Sequence, residues 1–157
     1  MVIESVYDTE PVTTTVVEVK IKVLEGGKLP EYKRFGDVCM DCYAREEVVI
    51  EPGQRKLVPL GFALELPFGY EAVVRPRSGL SFNGIDVSIG TIDTNYRGEV
   101  MACVEHNMKF ASNYVIVKGD RICQLAIREA PTIKWDVVDE LSETERGANG
   151  FGSSGVK

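Results

Sequence analysis

Apolar and charged residues alternate along much of this chain. Val17, Val19, Ile21 and Val23 take odd positions, while Glu18, Lys20 and Lys22 take even ones. A period of two puts the apolar side chains on one face of a half-buried strand. Short runs of similar character recur at 46–50, 55–60, 62–66, 70–74, 100–104, 114–117 and 121–127. Turn residues separate them: Pro52-Gly53, Pro67-Phe68-Gly69, Asn83-Gly84 and Lys118-Gly119-Asp120. Only residues 78–82 invite a helix, of a turn or two. Residues 85–104 read as a β-hairpin with a connecting loop over 93–98. Many short strands with regular turn signals predict an all-β barrel or sandwich with one short helix, not β-α-β units. No internal repeat of useful length is present.

The carboxyl end breaks the pattern. Residues 142–157 hold Gly147, Gly150, Gly152 and Gly155 with three serines, and Phe151 is the one large apolar side chain between Leu141 and Val156. Such a stretch buries too little surface to order itself. The expected organisation is one β-domain over 1–141 and a flexible Gly-rich tail over 142–157. Two readings of the tail stay open. It is a solvated end, or it orders over a ligand with Arg146 on an anion and Phe151 on a flat surface.

Composition narrows the classes of function. With 157 residues, 44% of them hydrophobic, the chain can bury a real core, which excludes wholesale disorder. No run reaches the ~18 apolar residues of a membrane helix. Glu4, Asp8 and Glu10 lie near the amino end without the basic-then-apolar order of a secretion signal. An intracellular, cytoplasmic protein is expected, with its four cysteines reduced. A formal net charge of −6 argues against a nucleic-acid backbone or an anionic membrane as partner. It does not forbid a small phosphate ligand held by a few local donors or a metal ion.

Several motif matches fail on context. Gly150-Phe151-Gly152-Ser153-Ser154-Gly155 has dinucleotide-fingerprint spacing, but two residues follow it where a helix is required. Gly147 to Gly152 has phosphate-loop spacing, with Ser153 where the lysine belongs. Cys39-Met40-Asp41-Cys42 is half of a zinc site or a pair of small buried thiols, and Cys103 and Cys123 do not form a second such pair. His106, the single histidine, has no nucleophile in a recognisable arrangement and reads as a strand or turn residue.

The informative stretch runs from 73 to 101. Arg75-Pro76-Arg77-Ser78-Gly79-Leu80 sets two guanidinium groups, a hydroxyl and a glycine after a strand-like run. Pro76 ends the ladder, Gly79 admits close backbone approach, and N–H groups entering a helical turn can cradle a phosphate. A basic turn at a barrel corner is the alternative. The hairpin beyond can present main-chain donors and acceptors to a flat heterocycle. Asp93, between Ile92 and Tyr96, reads from spacing alone as a turn aspartate.

Five stretches in order resemble the motifs of the homotrimeric deoxyuridine triphosphatases (dUTPases). They are Val38-Cys39-Met40-Asp41-Cys42-Tyr43-Ala44; Pro76-Arg77-Ser78-Gly79-Leu80; Gly90-Thr91-Ile92-Asp93-Thr94-Asn95-Tyr96-Arg97-Gly98; Gly119-Asp120-Arg121-Ile122-Cys123-Gln124-Leu125; and residues 146–155. The chain departs from the usual pattern at Cys39, Cys42, Asn149 and Ser154, where glycine, leucine, glycine and threonine are common.

The resemblance implies a dUTPase-like β-barrel or jelly-roll (β-clip). It implies hydrolysis of dUTP to dUMP and pyrophosphate with Mg2+ on the triphosphate, which keeps dUTP low and supplies dUMP for thymidylate synthesis. It also implies a homotrimer with sites at subunit interfaces. Asp93 would orient and deprotonate the attacking water, and Tyr96 would pack on the deoxyribose, leaving no room for a 2′-hydroxyl. Main chain at Ser88, Ile89, Gly90, Thr91 and Ile92 would read the uracil edge, with Met101 lining the pocket. Ser78, Gly79 and Gln124 would contact phosphates beside a wall shaped by Arg77. In the tail, Arg146 would clamp the γ-phosphate and Phe151 would stack on the base, with Gly152 beside it. Asp41 would hold water on the metal. Two rivals stand: a deoxycytidine triphosphate deaminase of the same fold, and a nucleotide sensor that regulates a protein partner. Tyr96 and the Arg77-Ser78-Gly79-Leu80 run favour the triphosphatase over the deaminase, and an intact Asp93 argues against pure sensing.

Overall fold

The computed structural model describes residues 16–109 and 111–148. Among them the chain forms strands β1 (Lys20–Val23), β2 (Met40–Tyr43), β3 (Val48–Ile50), β4 (Arg55–Pro59), β5 (Phe62–Glu65) and β6 (Tyr70–Arg75). A short helix α1 (Ser78–Phe82) follows, then β7 (Ile85–Val87), β8 (Gly90–Ile92), β9 (Met101–His106), β10 (Tyr114–Ile116) and β11 (Arg121–Glu129). All pairings are antiparallel. They make four small sheets: β1-β5, β3-β10, β2-β11-β6-β8 and β4-β9-β7. The nearly all-β expectation holds, and so does the single short helix. No helix among the described residues is long and apolar enough to cross a membrane.

Alternation explains most strands. In β9, Ala102, Val104 and His106 turn inward while Met101, Cys103 and Glu105 are half-exposed. Phe62, Ile50, Leu60, Ile116, Ile122 and Leu125 are the largest fully buried side chains, and they join one continuous core. Each such residue contributes about 1.5–3 kcal/mol by leaving water. Cys42 and Cys123 sit directly opposite one another across β2 and β11, both with no exposed surface. Contact with Cys123, reinforced by burial, pushes the Cys42 thiol far above its ordinary range. Of the two readings of Cys39-x-x-Cys42, the buried-thiol one is correct for Cys42. His106 is 3% exposed; its Nε2–H donates to the Ser112 carbonyl at 3.0 Å and Nδ1 accepts the Met108 N–H at 3.4 Å. The histidine therefore ties down a loop, as a structural residue.

Two departures from the sequence expectation concern the site. Strand β2 carries no period, because Asp41, Cys42 and Tyr43 are all buried and both faces are covered. The expected hairpin holds at its ends, where Ile85 pairs with His106 and Val87 with Val104. Its middle leaves for another sheet. Strand β8 pairs with β6 instead, Val74 against Gly90 and Ala72 against Ile92. The chain thus crosses from one sheet to the other between Val87 and Gly90.

Among the described residues one apolar face stays open. Val17, Val19 and Ile21 point the predicted way but are only half-buried, and with Tyr32, Met40 and Ile127 they line a cavity of about 410 Å³. Past β11 the chain displays Ile133, Trp135, Val137 and Leu141, each at least 64% exposed, on odd positions.

Candidate functional site

A second, smaller cleft of about 220 Å³ is lined by Val74, Gly90, Thr91, Ile92, Asp93, Tyr96, Glu99, Val100 and Met101. Its floor comes from β6 and β8, and its far wall from the start of β9. Strand β8 ends its sheet, paired only with β6 among the described residues. Its other edge therefore carries unpaired backbone N–H and C=O groups, the donor and acceptor set a planar base needs. The turn after β8 is closed by the Tyr96 N–H donating to the Asp93 carbonyl at 3.1 Å, and Asp93 itself is exposed at the rim. Tyr96 folds back across Gly98, and its hydroxyl donates to the Glu99 carbonyl at 3.0 Å. Only glycine permits this: a Cβ at position 98 would lie 2.5 Å from Tyr96 Cζ.

A polar wall forms elsewhere on the same sheet. Pairing of β11 with β2 slips between Arg121 and Cys123, a β-bulge that lets Ile122 and Cys123 both face inward. Past the bulge, Gln124 stands opposite Asp41 on one side and Arg75 on the other. Asp41 is 5% exposed and accepts from Arg121 Nη1 at 3.0 Å and Gln124 Nε2 at 3.5 Å, with Arg77 Nε at 3.4 Å. Arg77 Nη1 also donates to the Arg121 carbonyl at 2.7 Å. Arg77 occupies the N-cap position of α1 without a side-chain cap, and Ser78 and Gly79 are exposed in the first turn, where their N–H groups have no intrahelical acceptor. The backbone of Asp41 pairs with that of Glu31. The Glu31 carboxylate takes hydrogen bonds from Lys33 and the Tyr43 hydroxyl and lies 3.2 Å from Lys28 Nζ. Hydrogen bonding from Lys33 first, then Tyr43 and Lys28, holds its carboxyl down at about 2.

The expected residues therefore fall into two groups. Gly90, Thr91, Ile92, Asp93, Tyr96 and Met101 meet in the cleft. Arg77, Ser78, Gly79, Gln124 and Asp41 gather at the polar wall. Ser88 and Ile89 do not line the cleft: the Ser88 hydroxyl donates to Glu105 at 2.7 Å, and Ile89 is 73% exposed. Arg146 sits in an exposed turn closed by the Gly147 N–H on the Thr144 carbonyl. Phe151 and Gly152 lie outside the described residues. Sequence reasoning missed Val74, Glu99 and Val100 in the cleft and Arg121 at the wall; only the position of Arg121 within the fourth motif could have pointed to it.

Asp93 and Ser78 lie beyond opposite ends of the β6–β8 pair. Ile92, which leads to Asp93, is opposite Ala72, whereas Gly90 is opposite Val74 and Ser78 follows beyond Arg75. Ala72 to Arg75 alone spans about 10 Å.

Comparison with known proteins identifies the family and the fold. The dUTPase family model matches residues 25–155. The deoxyuridine 5'-triphosphate nucleotidohydrolase of Maricaulis maris is 43% identical over 152 residues, covering 90% of this chain and 98% of that one. The dUTPase of Staphylococcus bacteriophage 80alpha, solved with dUpNHpp, superposes with a TM-score of 0.83 at 28% identity, covering 88% of this chain and 99% of that one. The dUTPase of phage phi11 of S. aureus, described with a structural Mg(II) ion, shares the fold at 24% identity and a TM-score of 0.73, over 78% of this chain and 97% of its own. The chain belongs to the dUTPase family.

Proposed function

We propose that this dUTPase hydrolyses dUTP to dUMP and pyrophosphate by a water molecule that Asp93 aims at the α-phosphorus. The observation that carries the reading is the placement of Asp93 on the rim of a cleft with the free edge of β8 on one side and Tyr96 on the other. Uracil offers an N3–H donor and an O4 acceptor; cytosine reverses both. A fixed backbone edge mispaired with the wrong base loses about 1–3 kcal/mol per unpaired group. Tyr96 would pack on the sugar and exclude a 2′-hydroxyl. At about 220 Å³ the cleft is below the ~300–1,000 Å³ of a complete ligand site. It suits base and sugar, with the triphosphate reaching outside it.

In the reaction the water oxygen bonds to the α-phosphorus, its proton passes to the Asp93 carboxylate, and the bond to the bridging oxygen breaks to release pyrophosphate. Ser78, Gly79, Arg77 and Gln124 would hold phosphate oxygens. Arg146 and Phe151 would close over the substrate and exclude water.

The residues at the wall suit Mg2+ carried on the triphosphate. Among the described residues no three His, Cys, Asp or Glu side chains gather into a cage, and Asp41 is engaged by Arg77, Arg121 and Gln124. Mg2+ keeps most of its waters and binds through substrate phosphates without a cage, so Asp41 suits an outer position, accepting from a metal-bound water. When bound, the ion offsets charge on the departing pyrophosphate.

The assembly this reading supports is a homotrimer with shared sites. Asp93 and Ser78 stand beyond opposite ends of the β6–β8 pair, which supports a site in which a neighbouring copy brings its phosphate wall to the cleft. The open apolar cavity and the exposed Ile133, Trp135, Val137 and Leu141 supply matching faces for neighbouring copies. The test is pyrophosphate release from dUTP, dTTP, dCTP and UTP, with Asp93→Asn alongside. Release from dUTP alone is expected. Asp93→Asn should turn over at least ~10²-fold more slowly while binding a non-hydrolysable analogue as before. Near-normal turnover in Asp93→Asn would refute the assignment.

A further inference from the structure

Glu99 is a pocket residue that none of the five motifs contains, and its side chain turns away from the cleft. Its Oε1 accepts the Gly61 N–H at 2.8 Å, and its Oε2 lies 3.1 Å from Arg45 Nη2. Its own carbonyl accepts the Tyr96 hydroxyl at 3.0 Å. One residue thus joins the rim of the cleft to the tight connection between β4 and β5.

That connection is held firmly. Gly61 has φ +75°, a conformation that favours glycine, and packs so closely on Gly27 that a Cβ on Gly27 would lie 2.7 Å from Gly61 Cα. The Gly61 carbonyl accepts from Leu24, the Val100 N–H donates to Phe62, and the Val100 carbonyl accepts from Leu60. Arg45 donates its own N–H to Pro59, and its Nε is buried with no acceptor among the described residues. Its guanidinium therefore relies on Glu99 for charge compensation.

The turn carrying Asp93 and Tyr96 has two feet. Pairing of β8 with β6 holds the first. We propose that Glu99 holds the second: it is a positioning residue that sets Tyr96 against the sugar and so determines discrimination between deoxyribose and ribose nucleotides. The inference rests on reading this cleft as the base and sugar site. Without the carboxylate, the Gly61 N–H loses its acceptor and Arg45 its counter-charge, residue 99 shifts ahead of the Val100 backbone bonds, and the Glu99 carbonyl no longer holds the Tyr96 ring where it excludes a 2′-hydroxyl.

The test measures kcat/KM for dUTP and for UTP in wild type, Glu99→Ala and Glu99→Gln, with Tm recorded for each. A merely structural ion pair would move Tm and leave the dUTP/UTP ratio unchanged. Glu99→Ala is expected to lower the ratio about tenfold, the loss of one charged hydrogen bond. Glu99→Gln keeps an oxygen for the Gly61 N–H and should recover most of the ratio. A folded Glu99→Ala with the wild-type ratio overturns the proposal. Should that variant not fold, Glu99→Asp, which draws the carboxylate back from the Gly61 N–H by one methylene, takes its place, and an unchanged ratio in that folded variant overturns it equally. A wild-type enzyme that fails to prefer dUTP over UTP sinks the reading of the cleft itself, a result separable from either variant.

Discussion

Replacing Gly98 by alanine isolates the placement of one side chain. Gly98 has no positive φ, so alanine meets no backbone strain there. What it meets is Tyr96, whose Cζ would lie 2.5 Å from the new Cβ. Ordinary carbon contacts are about 3.5–4.0 Å, so the ring must retreat by about 1 Å or more. The hydroxyl then leaves the Glu99 carbonyl, a loss of about 1 kcal/mol. Tyr96 is 44% exposed and can swing outward without opening the core, so stability should fall by no more than about 1–2 kcal/mol. Catalysis should suffer far more, because a 1 Å misplacement can cost about 10²-fold in rate. Steady-state kinetics with dUTP and UTP, beside thermal unfolding, reads both effects. In a Tyr96→Ala background the same substitution should add almost nothing, since the clash is gone. A folded Gly98→Ala with wild-type kcat/KM would show that the position of Tyr96 does not matter and would refute the reasoning.

Two further outcomes are expected. Ending the chain after Glu145 removes Arg146 and the Gly-rich segment; the folded assembly should remain, by gel filtration and circular dichroism, while dUTP turnover drops by at least ~10-fold, and unchanged turnover would exclude a role for the tail. Glu31 should titrate with a midpoint near 2 in a carboxyl-detected NMR titration, against an ordinary value of 4.5. Because its folded value is depressed, its contribution to stability is complete above pH 4.5 and is lost as pH falls toward 2. A midpoint near 4.5 would mean that Lys33, Tyr43 and Lys28 do not hold it.

The candidate site was more legible than the topology. Asp93, Tyr96 and Gly90 to Ile92 could be singled out because short motifs keep reactive residues close in sequence, and the structure gathers them in one cleft. Strand β2 gave no signal, since a strand buried on both faces loses its period. The departure of β8 to β6 was hidden for another reason: three residues with a glycine among them hold too little pattern to say which sheet they join. Glu99 was invisible because its value lies in reaching Gly61 and Arg45, distant in sequence and near only after folding. Ser88 and Ile89 share the motif neighbourhood but leave the cleft at the crossing between sheets.

The slipped residue in β11 sets what this stretch tolerates. Ile122 and Cys123 both fill the interior because of it, and past it Gln124 stands opposite Asp41 and Arg75. Ile122 is the residue left over: it has no partner on β2, and without it Arg121 and Cys123 would pair in sequence, Gln124 would keep Asp41, and one of the two inward side chains would be gone. Identity and number are therefore both constrained in this stretch: Ile122 and Cys123 must be apolar to fill the interior, and the extra residue is what lets two neighbours in sequence do so side by side.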